Sequence, residues 1–69
     1  MLTGIINSYR INVEWSDEDE CYVVRVPKLK GCVTHGDTLE KTMKNAQEVV
    51  DLWLASARKH GDRIPATDI

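Results

Sequence analysis

Apolar and polar residues alternate along the first third of the chain. Tyr9, Ile11, Val13 and Trp15 are interleaved with Arg10, Asn12 and Glu14. A period of two is that of a half-buried strand, and β-branched and aromatic residues dominate its apolar side. Ser16 to Glu20 contains no apolar residue and reads as a solvated turn. A second strand follows, with Tyr22, Val24 and Val26 on one face and Cys21, Val23 and Arg25 on the other. Two such strands joined by a short polar connection predict an antiparallel hairpin. Pro27 stops the second strand because it has no N–H to donate to the ladder. Gly31 lets the chain turn back, and Cys32, Val33, Thr34 and His35 form a short third strand. Gly36 is placed at the strand-to-helix turn.

The pattern then changes period. Leu39, Met43, Ala46, Val50, Trp53 and Ala57 recur at three- and four-residue steps, forming a continuous apolar stripe that Val49 and Leu54 widen. Asp37 is the expected N-cap, with Glu40 three residues later completing a capping box, and Thr38 is the alternative cap. Arg58, Lys59 and His60 complement the negative end of the helix dipole, and Gly61 suits the C′ position. Ile64 and Pro65 lie beyond the helix in extended chain. The expected fold is α+β: a three-stranded antiparallel sheet with one long helix packed on one face, in the order β-β-β-α. Trp53 is expected in the core.

Length sets the next constraint. Sixty-nine residues make a single domain, 1–69, and a chain this short buries only about 60% of the surface its unfolded form exposes. Disulfides, a metal or self-association are the usual supports for so small a core. Two cysteines make no disulfide framework, so self-association, most simply as a two-fold dimer, is expected. Leu2, Ile5 and Ile6 form no signal-like apolar stretch, and no Lys or Arg precedes Arg10. No apolar run approaches the roughly 20 residues that cross a bilayer. The expected setting is the cytoplasm, with reduced thiols.

The net charge of −2 is unevenly distributed. Glu14, Asp17, Glu18, Asp19 and Glu20 put five of the eleven acidic residues into seven positions with no cation among them. Scattered basic residues, with a minor cluster at Arg25, Lys28 and Lys30, do not make the stripe of a nucleic-acid binder.

Catalytic and metal chemistry finds little support. Cys21, Cys32, His35 and His60 have no zinc-knuckle spacing, and read instead as two small thiols and two surface imidazoles. Cys32 and His35 form no nucleophile–base pair with a third orienting group. The acidic turn lacks the spacing of a calcium loop. No catalytic, cofactor or metal residue is assigned. As an electrostatic face for a basic partner, however, the turn supplies Asp17, Glu18, Asp19 and Glu20. Trp15 beside it is an amphipathic ring suited to an interface.

Several segments together resemble the HicB family of antitoxins. They are Tyr22 through Val26-Pro27, Gly31-Cys32, Thr34 to Glu40, Asn45 to Glu48, and Ile64-Pro65 after a helix ending at Gly61. The resemblance covers about Arg10 to Pro65. It implies a truncated ribonuclease-H-like fold without that fold's catalytic carboxylates. It also implies a partner: a small HicA-type toxin with a double-stranded-RNA-binding-domain fold that cleaves mRNA using a histidine. The antitoxin would inhibit by covering that active site.

The chain departs from the family pattern in places. It ends at Ile69, so direct DNA binding through an added C-terminal segment is not expected, and only residues 66–69 remain for the strand that follows the helix in longer relatives. Lys28 and Lys30 stand where the family commonly has an acidic residue and proline, and Thr42 stands where alanine is usual. The expected function is that of a non-enzymatic antitoxin masking a ribonuclease toxin. The alternative is a stand-alone homo-oligomeric regulatory or scaffold module without a toxin. A residual metal-dependent nuclease using Glu14 or Asp17 is a third reading.

Overall fold

Five elements follow one another along residues 2–69, the part of the chain that the computed structural model describes. They are β1 (Leu2–Ile6), β2 (Tyr9–Ser16), β3 (Cys21–Arg25), β4 (Val33–Gly36) and α1 (Leu39–His60). The strands form one antiparallel meander in the order β1-β2-β3-β4. The sheet therefore has four strands, correcting the three expected from the sequence.

The extra strand is β1. Its register pairs Leu2 with Val13, Gly4 with Ile11 and Ile6 with Tyr9, so Leu2, Gly4 and Ile6 share the face that meets the helix. Asn7 and Ser8, with φ of 50° and 65°, make the two-residue connection. Positive φ at both central residues is the mark of a type I′ hairpin turn, whose twist matches the strands it joins.

Tyr9, Ile11 and Val13 on β2, with Val24 on β3, are buried against the helix. The link from Val26 to Cys32 is part of the core as well. Val26 N–H donates to the Cys32 carbonyl at 3.1 Å, Leu29 N–H to Val26, and Cys32 N–H to Leu29. These bonds fold the link into a compact bend, with Gly31 at φ 78°, that drives Leu29 into the interior at 1% exposure.

The helix buries Thr42, Ala46, Val50, Leu54 and Ala57, a slightly different stripe from the expected one. Leu39 is exposed, and Met43 and Trp53 pack on the core's margin. The rotation follows from Thr42. Its hydroxyl donates to the Thr38 carbonyl at 2.6 Å, so the polar group is satisfied and can be buried. Thr38, not Asp37, is the N-cap: its hydroxyl accepts the Lys41 N–H at 3.1 Å. Gly61, at φ 70°, ends the helix as expected, with the Asp62 N–H returning to the Ala57 carbonyl at 2.8 Å.

Residues 62–69 form no strand. They cross back to the β1–β2 turn, where Tyr9 Oη donates to the Pro65 carbonyl at 2.5 Å and the Asp68 N–H to the Ser8 carbonyl at 2.9 Å. The Asp68 carboxylate accepts the Arg10 N–H at 2.7 Å and lies 3.6 Å from Lys28 Nζ. No described helix is long and apolar enough to cross a membrane.

Candidate partner-binding surface

The register of β2 and β3 places Trp15 opposite Tyr22, at the end of the hairpin beyond the buried rows. The two rings meet edge to face, centroids 4.9 Å apart and planes at 70°, a favoured aromatic geometry. The indole Nε1 of Trp15 donates to Asp17 Oδ1 at 2.7 Å. Trp15 remains 48% exposed, so a large apolar ring is held in place while half of it faces solvent.

The acidic turn has a defined shape. Ser16 Oγ accepts the Asp19 N–H at 3.3 Å and donates to the Asp19 carboxylate at 3.4 Å. Glu20 adopts φ 51°, which lets the chain enter β3. Asp17, Glu18, Asp19 and Glu20 are all exposed. The two salt bridges among the described residues join Glu14 to Arg25 and Lys28 to Asp68. Among the described residues no salt bridge reaches Asp17, Glu18, Asp19 or Glu20, and their carboxylates face solvent.

A second part of this surface was not anticipated. The sheet face away from the helix carries a concavity of about 590 Å³, lined by Asp19, Cys21, Val23, Arg25, Val33, Thr34, His35 and Asp37. Cross-strand pairs Val23↔His35 and Arg25↔Val33 form its floor, and Asp19 and Asp37 stand among its lining residues. The signal was present in the sequence, since Val23 and Val33 put apolar groups on the face that no helix covers. The turn meets this concavity at Asp19, whereas Trp15, in line with Ile11 and Val13 along β2, stands at the same end on the helix-side face.

The remaining candidates do not converge on chemistry. Among the described residues no cluster of three or more His, Cys, Asp or Glu is positioned to hold a metal ion. Cys21 and Cys32 are both free and buried. Cys32 belongs to the core cluster, and burial raises its thiol pKa above the ordinary value, the opposite of what activates a nucleophile. His35 is exposed on β4. An open groove of about 630 Å³ runs beside α1 between Lys30, Leu52, Trp53 and Arg63.

Comparison with known proteins bears on the family of the chain. The family described as the HicB-like antitoxin of bacterial toxin–antitoxin systems matches residues 9–69. A UPF0150 protein of Thermoplasma acidophilum is 43% identical over 49 residues, 71% of each chain. One from Synechocystis is 38% identical over 47 residues, 68% of this chain and 64% of the relative. A second Synechocystis UPF0150 protein is 31% identical over 64 residues, 93% of this chain and 80% of its own. No solved structure matches the chain. A small sheet-and-helix domain with an exposed acidic end, matched along all but its first eight residues, belongs to the HicB-like antitoxin family of bacterial toxin–antitoxin systems.

Proposed function

We propose that the chain binds and masks a HicA-type mRNA-cleaving ribonuclease, and that the hairpin end carrying Trp15, Asp17, Glu18, Asp19 and Glu20 is the masking surface. An enzyme that cleaves RNA needs positive potential around its active site, because its substrate is a polyanion. An inhibitor that offers carboxylates there competes on the same electrostatic terms. The observation that carries the reading is the Trp15 side chain, half exposed yet fixed by Tyr22 and Asp17. A rigid aromatic among unpaired carboxylates loses little freedom on binding and gives the attraction a specific anchor.

The role asks for no reaction on this chain, and inhibition is complete once the toxin's active site is covered. The test replaces Asp17 and Asp19 by Asn and Glu18 and Glu20 by Gln, and measures association with a HicA-type toxin that the wild-type chain binds. Charges at an interface rim act mainly on the association rate. The variant should associate at least about tenfold more slowly at low salt, and the difference should vanish near 1 M salt, where the screening length is about 3 Å. Equal rates at low salt would place the masking surface elsewhere.

A further inference from the structure

The two edges of the sheet are treated differently. At β4, Asn45 Nδ2 of the helix donates to the His35 carbonyl at 2.9 Å, and Gly36 lies directly against Thr42. That edge is covered by α1. At β1, Leu2 is 52% and Ile5 55% exposed, Thr3 is exposed, and Leu2-Thr3-Gly4-Ile5-Ile6 contains no charge, proline or bulge. Those are the features that normally protect an edge from pairing with another chain.

The direction of the free backbone groups follows from the register. Arg10, opposite Ile5, sends its N–H to the Asp68 carboxylate and so away from β1. In an antiparallel ladder the two residues of such a pair both point their N–H and C=O groups outward. Ile5 therefore presents its backbone donor and acceptor to the open edge, and Thr3, two residues earlier, does the same.

We propose that β1 pairs with β1 of a second copy, antiparallel about a two-fold axis at Gly4. In that register Thr3 faces Ile5 of the other copy and exchanges both backbone hydrogen bonds with it, twice over by symmetry. Leu2 faces the other copy's Ile6 on the helix side, so the exposed Leu2 side chain continues the apolar row that each sheet already contains. The strand is uncharged, so no like charges meet at the seam. Antiparallel pairing also sends the two acidic turns to opposite ends of an eight-stranded sheet, although each copy carries net −2. A parallel arrangement would bring them to the same end. Both hairpin ends stay open to a partner.

Sedimentation of the wild-type chain at high micromolar concentration should give twice the monomer mass of 7.8 kDa. Ile5→Pro removes an N–H that no bond within the monomer uses, and proline is tolerated on an edge strand in that orientation. This variant should keep its circular dichroism and sediment as a monomer, whereas Ile5→Thr, which keeps the N–H, should remain a dimer. Gly4→Cys should cross-link to itself on mild oxidation, because the two residues at the axis face each other in a close pair; the native cysteines are buried and supply the background control. If Ile5→Pro does not fold, this cross-link decides. A monomeric wild type, a dimeric Ile5→Pro, or a folded Gly4→Cys that never cross-links overturns the proposal. Loss of toxin binding by Ile5→Pro with self-association intact would assign the edge to the toxin and overturn it as well. Toxin capture is read separately: a monomeric Ile5→Pro that still binds toxin leaves the masking surface at the acidic end.

Discussion

The indole Nε1 of Trp53 donates to the Lys30 carbonyl at 3.0 Å, tying the third quarter of the helix to the bend that joins β3 to β4. Trp53 is half-buried and closes over the bend from the side, while Leu29 fills the bend from within. The sequence suggested a fully buried ring whose loss costs about 3–5 kcal/mol. Partial burial plus one hydrogen bond puts Trp53→Ala nearer 2–3 kcal/mol. Trp53→Phe keeps most of the contact and should cost about 1 kcal/mol. Urea unfolding checks both, and equal midpoints for the two variants would show that the hydrogen bond, not the ring, holds the bend.

Gly36 has a different constraint from the one its position in the sequence suggests. It lies buried at the end of β4, where a Cβ would sit 2.8 Å from the Thr42 backbone nitrogen and 2.6 Å from Thr42 Oγ1. Backbone cannot step aside as a flexible side chain can, so Gly36→Ala forces the helix N-terminus off the sheet. Overpacking of this kind costs about 1–3 kcal/mol. Thr42→Ala removes the hydroxyl contact but not the backbone one. The double variant should therefore recover only part of the loss in thermal melts, and full recovery would mean the hydroxyl alone sets the spacing.

These two residues show where reading the sequence stops. β2, β3, β4 and α1 were legible because their periods are clean over several residues. β1 was not, since Gly4 interrupts its alternation and the strand reads as a stray apolar tail. Its available cue was Asn7-Ser8, a turn pair in which asparagine tolerates positive φ, set between two apolar runs. The helix stripe was located to within a fraction of a turn; the buried Thr42 shifted it, and a satisfied threonine in a core has no hydropathy signature. The acidic turn was plain from composition. The contact that holds Trp15 against Tyr22 depends on which residues the β2–β3 register brings opposite each other, and the outer concavity needs β4 in place before Val23 and His35 become neighbours.

The end of the chain carries a pH-sensitive clasp. The Asp68 pKa is lowered chiefly by the Arg10 N–H that its carboxylate accepts, with Lys28 adding to it against partial desolvation. A folded pKa below the unfolded one contributes stability that is complete above the ordinary carboxylate range. The contribution is lost as pH falls through the depressed folded value. The melting temperatures of wild type and Asp68→Asn should therefore differ most near neutral pH and converge as pH falls through the depressed folded value, below the ordinary carboxylate range. A difference that stays constant over that range would mean the clasp works through shape rather than charge.

Cys32 gives the opposite sign at the alkaline end. Burial raises its pKa, so above the ordinary thiol range the unfolded chain ionises first and stability falls as pH rises. Below that range Cys32 is a neutral core group. Native protein should react with a thiol reagent far more slowly than protein in denaturant, and Cys32→Ala should flatten the alkaline loss of stability. Rapid labelling of Cys32 in the native state would show that the Val26–Cys32 bend opens readily.

Trp15 separates the two contributions proposed for toxin capture. The carboxylates of the turn act at a distance and should appear in the association rate, but an aromatic ring acts only in contact. Interface tryptophans that anchor a complex cost at least about 2 kcal/mol on truncation, or roughly 30-fold in Kd. For Trp15→Ala that loss should appear mainly as faster dissociation and persist in high salt, where the charge effect has gone. The same variant loses the Tyr22 contact, so its stability is measured alongside. Trp15→Phe separates the two effects, because it keeps a ring against Tyr22 while giving up the Asp17 hydrogen bond. Binding by Trp15→Phe should fall between wild type and Trp15→Ala, with a fold as stable as wild type to within about 1 kcal/mol. If Trp15→Ala dissociates from the toxin no faster than wild type, the exposed ring packs on its own hairpin, and the acidic turn steers a toxin that is anchored by other residues.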